Sequence, residues 1–355
     1  MNARWLVAVP VAVVLLISAA PGSAQDGEPR EPLLSSFQIY WENDSFLRAD
    51  TSDESYTNGT KIAWMYNRSR PDYHEPDWID PLFAAWCQTH LCNHGQVEFG
   101  YGHALGQNLY TPEAIVDPNP QPYDRPWAAY LYYSWIVQAT YFKTETQWPV
   151  QNIFELQVGI VGPGAGGRYT QSKVHQIIDS PEPQGWSNQI RNEPTIDLVY
   201  LWRKKIGDGP VDFVPDLGFS LGNVQTYGQV GGTVRLGYHL SSFPQNVISP
   251  RVAPPQEKSP EPFEAFVFVG GEARGVARNI FLDGNSRGDG PAILIDRKGF
   301  VSDLKAGFAV RYKGWRIDYT VLRVSSEFDA PRGDKGGPHK FGAVALSWSL
   351  WRDQP

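Results

Sequence analysis

Between Trp127 and Tyr141 every second residue is apolar: Trp127, Ala129, Leu131, Tyr133, Trp135, Val137, Ala139 and Tyr141 share one parity. The other parity mixes Tyr130 and Tyr132 with Ser134, Gln138 and Thr140. Successive side chains on a strand point to opposite faces, so this segment reads as a strand with one wholly apolar face. It is well over twice the usual length of about five or six residues, and long enough to cross a bilayer. The pattern recurs. Phe154, Leu156, Val158 and Ile160 alternate with Glu155 and Gln157, and Ile196, Leu198, Tyr200 and Trp202 with Asp197 and Arg203. Near the end of the chain Val344, Leu346, Trp348 and Leu350 alternate with Ala343, Ala345, Ser347 and Ser349.

Twelve candidate strands follow from this reading: 36–44, 57–66, 96–106, 127–142, 150–161, 194–205, 210–221, 226–240, 262–275, 300–313, 315–328 and 339–351. Turn signals separate them, among them Gly207-Asp208-Gly209-Pro210, Gly314 and the stretch 329–337. Two soluble sheets packed as a sandwich would alternate too. Strand length, aromatic residues at segment ends and an even strand count favour a membrane barrel instead. The face opposite the apolar one carries Glu42, Lys61, Glu155, Asp197, Glu264, Arg274 and Asp318, which suits a polar barrel interior. The predicted fold is therefore all-β, a transmembrane antiparallel up-and-down β-barrel. With both termini on the periplasmic side, the connections 45–56, 107–126, 162–193, 222–225, 276–299 and 329–338 face outward. Two inner connections, 67–95 and 241–261, are long for barrel turns.

The N-terminus reads as an export signal. Arg4 precedes an apolar run from Trp5 to Ala20, and Gly22-Ser23-Ala24 is a small-residue cleavage site. An uncleaved anchor is the other reading of the same pattern. The predicted organisation is a signal peptide over 1–24, a polar leader over 25–35 and the barrel over 36–351. No later stretch is apolar enough for a spanning helix of about 18 residues or more, so a membrane role falls to strands closed into a barrel. Removing residues 1–24 takes one Arg and no acid, moving the net charge from −7 to −8. That balance argues against nucleic acid as a partner, since phosphate neutralisation needs clustered Lys and Arg.

Three outward elements gather residues of catalytic type. Trp41-Glu42-Asn43-Asp44 closes the first strand, and by parity Asp44 points inward with Gln38 and Glu42. Tyr56-Thr57-Asn58-Gly59 opens the second, where Thr57 shares the inward parity of Lys61. Asn43, Asp44 and Thr57 are thus expected at the outer rim of the lumen, although Asn, Asp and Asn-Gly are also ordinary turn residues. The third element is the long loop after strand five. It opens with Val161-Gly162-Pro163-Gly164-Ala165-Gly166-Gly167, and a short helix over 171–178 would hold His175 near the barrel mouth. A histidine beside a carboxylate suits general-base work, whereas a lone loop histidine is commonly a solvated surface residue. No Gly-x-Ser-x-Gly elbow is present for a nucleophilic serine. Cys87-Gln88-Thr89-His90-Leu91-Cys92-Asn93-His94 reads as a Cys87–Cys92 disulfide in an exported chain, with zinc as the alternative.

These blocks, together with Tyr123-Asp124-Arg125-Pro126 and Pro183-Gln184-Gly185-Trp186-Ser187-Asn188-Gln189, stand in an order that resembles the outer-membrane lipid A deacylase family, the LpxR-like proteins. The resemblance covers nearly the whole mature chain and is sharpest from Phe37 to Tyr200. It implies a twelve-stranded barrel in the bacterial outer membrane and a calcium-dependent esterase that removes the 3′-acyloxyacyl chain of lipid A. It places the family's catalytic histidine on His175, its Asn-Asp pair on Asn43 and Asp44, and its threonine on Thr57. The glutamate after the histidine falls on Glu182, which would fix the His175 tautomer. A family lysine in the loop after strand three has no counterpart, because 111–121 contains no Lys or Arg. Arg125 is the substitute on offer. Asp44 and Glu42 would supply calcium with hard oxygen ligands, and Arg125 or Lys61 would contact a lipid A phosphate. The expected partners are lipid A, or lipopolysaccharide, and outer-membrane lipids, and a monomer is expected. The rival reading is a barrel without hydrolase activity, serving as a small transport pore or a structural protein.

Overall fold

The computed structural model describes residues 36–43, 55–67, 97–142, 144–145, 147–240, 243–244, 262–331 and 336–349. The expected signal peptide and leader, Asp44, Cys87 and Cys92 lie outside these residues. So does nearly all of the two long inner connections. The chain runs through β1 (Ser36–Asn43), β2 (Ser55–Asn67), β3 (Val97–Thr111), β4 (Ala128–Tyr141) and β5 (Val150–Val161) to a helix, α1 (Gly167–Ile178). It continues through β6 (Glu193–Lys204), β7 (Val211–Gly222), β8 (Gln225–Tyr238) and β9 (Phe263–Asn279) to a single helical turn, α2 (Ile280–Asp283). Then come β10 (Asp296–Arg297), β11 (Phe300–Tyr312), β12 (Trp315–Val324), β13 (Phe328–Asp329) and β14 (His339–Ser349).

Twelve of these strands close into one barrel, each paired antiparallel with its neighbour in the chain, and β14 returns to β1 with Ser36 opposite Ser349 and Asn43 opposite Gly342. The predicted fold class holds. The short strands β10 and β13 form a separate pair within two loops, a feature the alternation does not reveal. Two barrel strands outrun their predicted ends: β3 continues to Thr111 and β9 to Asn279. The extension of β3 carries Gln107 and Asn108, polar residues that hide it in the sequence, yet it pairs with both β2 and β4.

The barrel's polarity is inverted relative to a soluble domain. Leu105, Trp135, Leu156, Leu198, Val267 and Leu304 stand exposed on the exterior wall, as a lipid-facing surface requires. The interior is filled with paired charges: Lys61 with Glu155 at 2.6 Å, Arg316 with Asp318 at 2.7 Å, and Arg274 with Asp303, Lys305 with Glu272 and Arg311 with Glu264 at 3.0 Å. A buried charge is tolerated when it is paired and hydrogen-bonded. Glu155 meets that condition fully, accepting also from the Ser134 hydroxyl at 2.7 Å and the Gln157 amide at 2.9 Å.

Towards the end that carries α1 and α2, an aromatic layer joins the ion pairs. Phe281 of α2 is fully buried and stacks on Tyr110 at 3.9 Å, beside Tyr130 and Tyr132. The Tyr132 ring fills the space beside Gly106 so closely that a Cβ there would lie 2.2 Å from it. The loops of this end are tied to one another. Leu294 N–H donates to the Pro122 carbonyl, Arg191 N–H to Asn285 Oδ1 and the Asn188 amide to the Pro118 carbonyl. Among the described residues no helix is long and apolar enough to cross a membrane.

Candidate active site on the exterior wall

The connection between β5 and β6 does not lie over the barrel mouth. It folds down against the exterior wall. Gly162, with φ of 93°, turns the chain back so that its N–H donates to the Ala129 carbonyl at 2.9 Å, and the Gln107 amide donates to the Ala165 carbonyl at 2.7 Å. At the far end of the loop Ile190 N–H donates to the Trp127 carbonyl, and Gln184 N–H to that of Ile115. Leu109, Ile115, Trp127, Ala129, Ala165 and Trp186 close into an apolar cluster between loop and wall. Leu109 and Ala129 belong to the lipid-side parity, yet they are covered, whereas Leu105 of the same parity is exposed.

Helix α1 presents Gly167, Gln171 and His175 as its buried stripe, the spacing of one helical face. A side chain at Gly167 would collide with the Ala129 methyl at 2.4 Å, so glycine lets the helix lie directly on the wall. Trp186 Nε1 donates to Gln171 Oε1 at 2.7 Å, and its ring packs 5.0 Å from that of Trp127. The helix ends at Asp179, a left-handed residue (φ 57°) whose N–H donates to the His175 carbonyl. The chain then returns the Pro181 carbonyl to His175 Nδ1 at 2.5 Å. A carbonyl oxygen only accepts, so Nδ1 carries the proton and Nε2 is the basic nitrogen.

Asn43 belongs to the same exterior region. It pairs with Asn58, Asn58 with Leu109, and Leu109 with Ala129, so one continuous row crosses β1, β2, β3 and β4 beneath the start of α1. At a spacing of about 4.8 Å between strands, Asn43 lies about 10 Å along this row from Leu109. His175 lies eight residues along the helix from Gly167, about 12 Å. The wall and the helix thus bring Asn43 and His175 to one side of the barrel, both buried.

Other expectations are corrected. Glu42 faces the interior, as its parity predicts, and is fully buried, where it accepts from the Tyr40 hydroxyl. The wall therefore separates it from Asn43, its chain neighbour. Lys61 is bound to Glu155 inside the barrel. Arg125 is 1 % exposed, ion-paired with Glu327 and stacked over the Tyr110 ring at 5.5 Å. Neither cation reaches a lipid phosphate. Glu327 lies in the loop after β12. Burial pushes its carboxyl up, but the positive charges of Arg125, His339 and Arg274 outweigh this and hold it at about 2. Glu182 is exposed, and the partner of His175 Nδ1 is the neighbouring Pro181 carbonyl rather than that carboxylate. At Thr57 the β2–β3 register shifts: Tyr56 pairs with Tyr110 and Asn58 with Leu109. Bulges are over-represented next to active sites. Gln171 and Trp186 enter the site unanticipated; the four-residue spacing of Gln171 and His175 is the signal that points to the former.

A family model described as "Outer membrane protein LpxR" matches residues 9–350. Among solved structures, LpxR from Salmonella typhimurium aligns over 89 % of this chain and 100 % of its own, with 20 % identity and a TM-score of 0.67. The translocator domain of the autotransporter NalP from Neisseria meningitidis aligns over 89 % of this chain and 87 % of its own, with 9 % identity and a TM-score of 0.42. No curated protein matches the sequence.

Proposed function

The chain belongs to the LpxR family of outer membrane proteins, and on that premise we propose that it is an ester hydrolase that removes the 3′-acyloxyacyl chain of lipid A. One observation carries the reading: His175 is buried on the same helix stripe as Gly167, which rests on the lipid side of the wall, and its Nδ1 is engaged by the Pro181 carbonyl. A base in that position meets a substrate that stays in the membrane.

In this mechanism Nε2 of His175 takes a proton from water as the water oxygen attacks the ester carbonyl. The Pro181 carbonyl holds the imidazole in the required tautomer and supports the imidazolium that forms. The carbonyl oxygen becomes an oxyanion, which the Asn43 amide, and Thr57 beside it, would stabilise by donating hydrogen bonds. Collapse of the tetrahedral intermediate expels the sugar alkoxide, which receives the proton back from His175. The products are a fatty acid and a free hydroxyl on the glycolipid.

Calcium belongs to the proposal as a Lewis acid that would polarise the ester carbonyl, with Asp44 as the donor that the sequence offers. Among the described residues, however, no three His, Cys, Asp or Glu side chains gather into a metal cage, and Glu42 faces away from the site. Asp44 itself lies outside the described residues, and the proton transfers of the hydrolysis are carried by His175.

The test is mass spectrometry of lipid A from a heterologous Gram-negative host expressing the full chain. Loss of one acyloxyacyl mass that disappears with His175→Ala, a change expected to slow turnover by about a hundredfold or more, supports the reading. An unchanged lipid A profile with folded protein in the outer membrane overturns it.

A further inference from the structure

The side of α1 turned away from the wall has a chemistry that the hydrolytic site does not use. Tyr169 and Ile177 are 71 % and 66 % exposed, and Lys173 lies between them on the same stripe, while the exposed Arg168 flanks that stripe about 100° round the helix from Tyr169. The helix contains no acidic residue. Lys173 donates only to Gln176 of its own helix, at 3.2 Å, and Arg168 makes no hydrogen bond or ion pair among the described residues. Two cations are therefore presented to the surroundings by a chain whose net charge is −7. Their height on the barrel is fixed by Gly167, which sits against Leu109 and Ala129. Leu105, four residues down β3 and about 13 Å below, is already bare of protein. The helix thus lies where the apolar belt gives way to the headgroup layer. A tyrosine and an isoleucine suit that depth, and Arg and Lys suit the phosphates there.

We infer that Arg168 and Lys173 form a phosphate-recognition surface that docks the lipid A headgroup on α1, taking the role that Arg125 and Lys61 cannot fill. Arg168 offers a planar fork to a phosphate and Lys173 a second point charge on the same helix, while Tyr169 and Ile177 rest in the acyl boundary. This inference rests on the hydrolase reading for the identity of the lipid, but its test does not require turnover.

The full chain in detergent micelles is titrated with diphosphoryl lipid A and with the same lipid after enzymatic removal of both phosphates. Binding is followed by tryptophan fluorescence, and heat-modifiable migration on gels checks that each variant is folded. The double variant Arg168→Gln, Lys173→Gln is expected to bind diphosphoryl lipid A roughly tenfold more weakly or worse, and the dephosphorylated lipid as the parent does. Arg168→Lys, which keeps the charge but not the fork, should bind diphosphoryl lipid A with an affinity between those of the parent and the double variant. Equal affinity of parent and double variant for diphosphoryl lipid A overturns the inference. So does an equal loss for both lipids, which would mark a general lipid contact. Acyl release is measured in the same samples. A parent that binds with phosphate discrimination but releases no acyl chain refutes the hydrolase reading and leaves the docking surface standing.

Discussion

At the scale of single residues, the local geometry assigns roles that residue type alone does not. His175 is held by a backbone carbonyl, so the exposed Glu182 is not needed to fix its tautomer. Glu182→Gln is therefore expected to leave acyl release within about threefold of the parent, against the hundredfold or greater loss for His175→Ala; a comparable loss in both would assign the carboxylate a part after all. Arg125 and Glu327 carry a different consequence. The Glu327 carboxyl is held at about 2, below the ordinary range for a free glutamate of about 4.3. A depressed carboxyl adds stability that is full above its unfolded value and fades as the pH falls from there towards 2. Thermal melting of the parent should drop over that window, and Glu327→Gln should flatten part of the drop. Identical curves would mean that the pair does not contribute. Of the candidate site, the sequence points to His175, to Asn43 and to the loop that carries His175. It cannot disclose that Arg125 is committed to a residue 202 positions away, or Lys61 to one 94 away, because such pairs exist only once the barrel has closed.

At the scale of elements, α1 and the wall it covers form the unit on which the chemistry depends. Gly167 admits no side chain, since a Cβ would lie 2.4 Å from the Ala129 methyl and 2.7 Å from the Trp186 ring. Gly167→Val should lift the helix and reduce acyl release at least tenfold, by analogy with small misplacements of catalytic groups. The barrel, which closes without this helix, should keep its heat-modifiable migration on gels. Loss of both together would show that α1 supports the barrel itself. Alternation in the sequence finds the strands because a period of two is strict where one face meets lipid. It is interrupted at Thr57, where the β2–β3 register shifts, and it misses Gln107, where a covered wall no longer needs to be apolar. These departures coincide with the candidate site, as a local rule yields where function makes its own demand.

At the scale of the whole molecule, the described residues fill the barrel interior with ion pairs and, at its loop end, with Phe281 stacked on Tyr110. The full chain in planar bilayers is expected to give no steady single-channel conductance, and reproducible open channels would restore the transport reading. Lys61→Met should destabilise the barrel by roughly 3–5 kcal/mol, because it strands the Glu155 charge in a buried site. Urea unfolding in detergent measures this, and a second change, Glu155→Leu, should recover much of the loss. Glu42 and Asn43, consecutive in the chain, look into separate compartments: one into the interior, the other onto the membrane side. A water-soluble inhibitor that entered the interior would therefore still have the wall between it and Asn43. A compound meant to silence His175 would have to be an amphiphile that partitions into the bilayer first and drifts in sideways, so its potency would follow its concentration in lipid rather than in the medium.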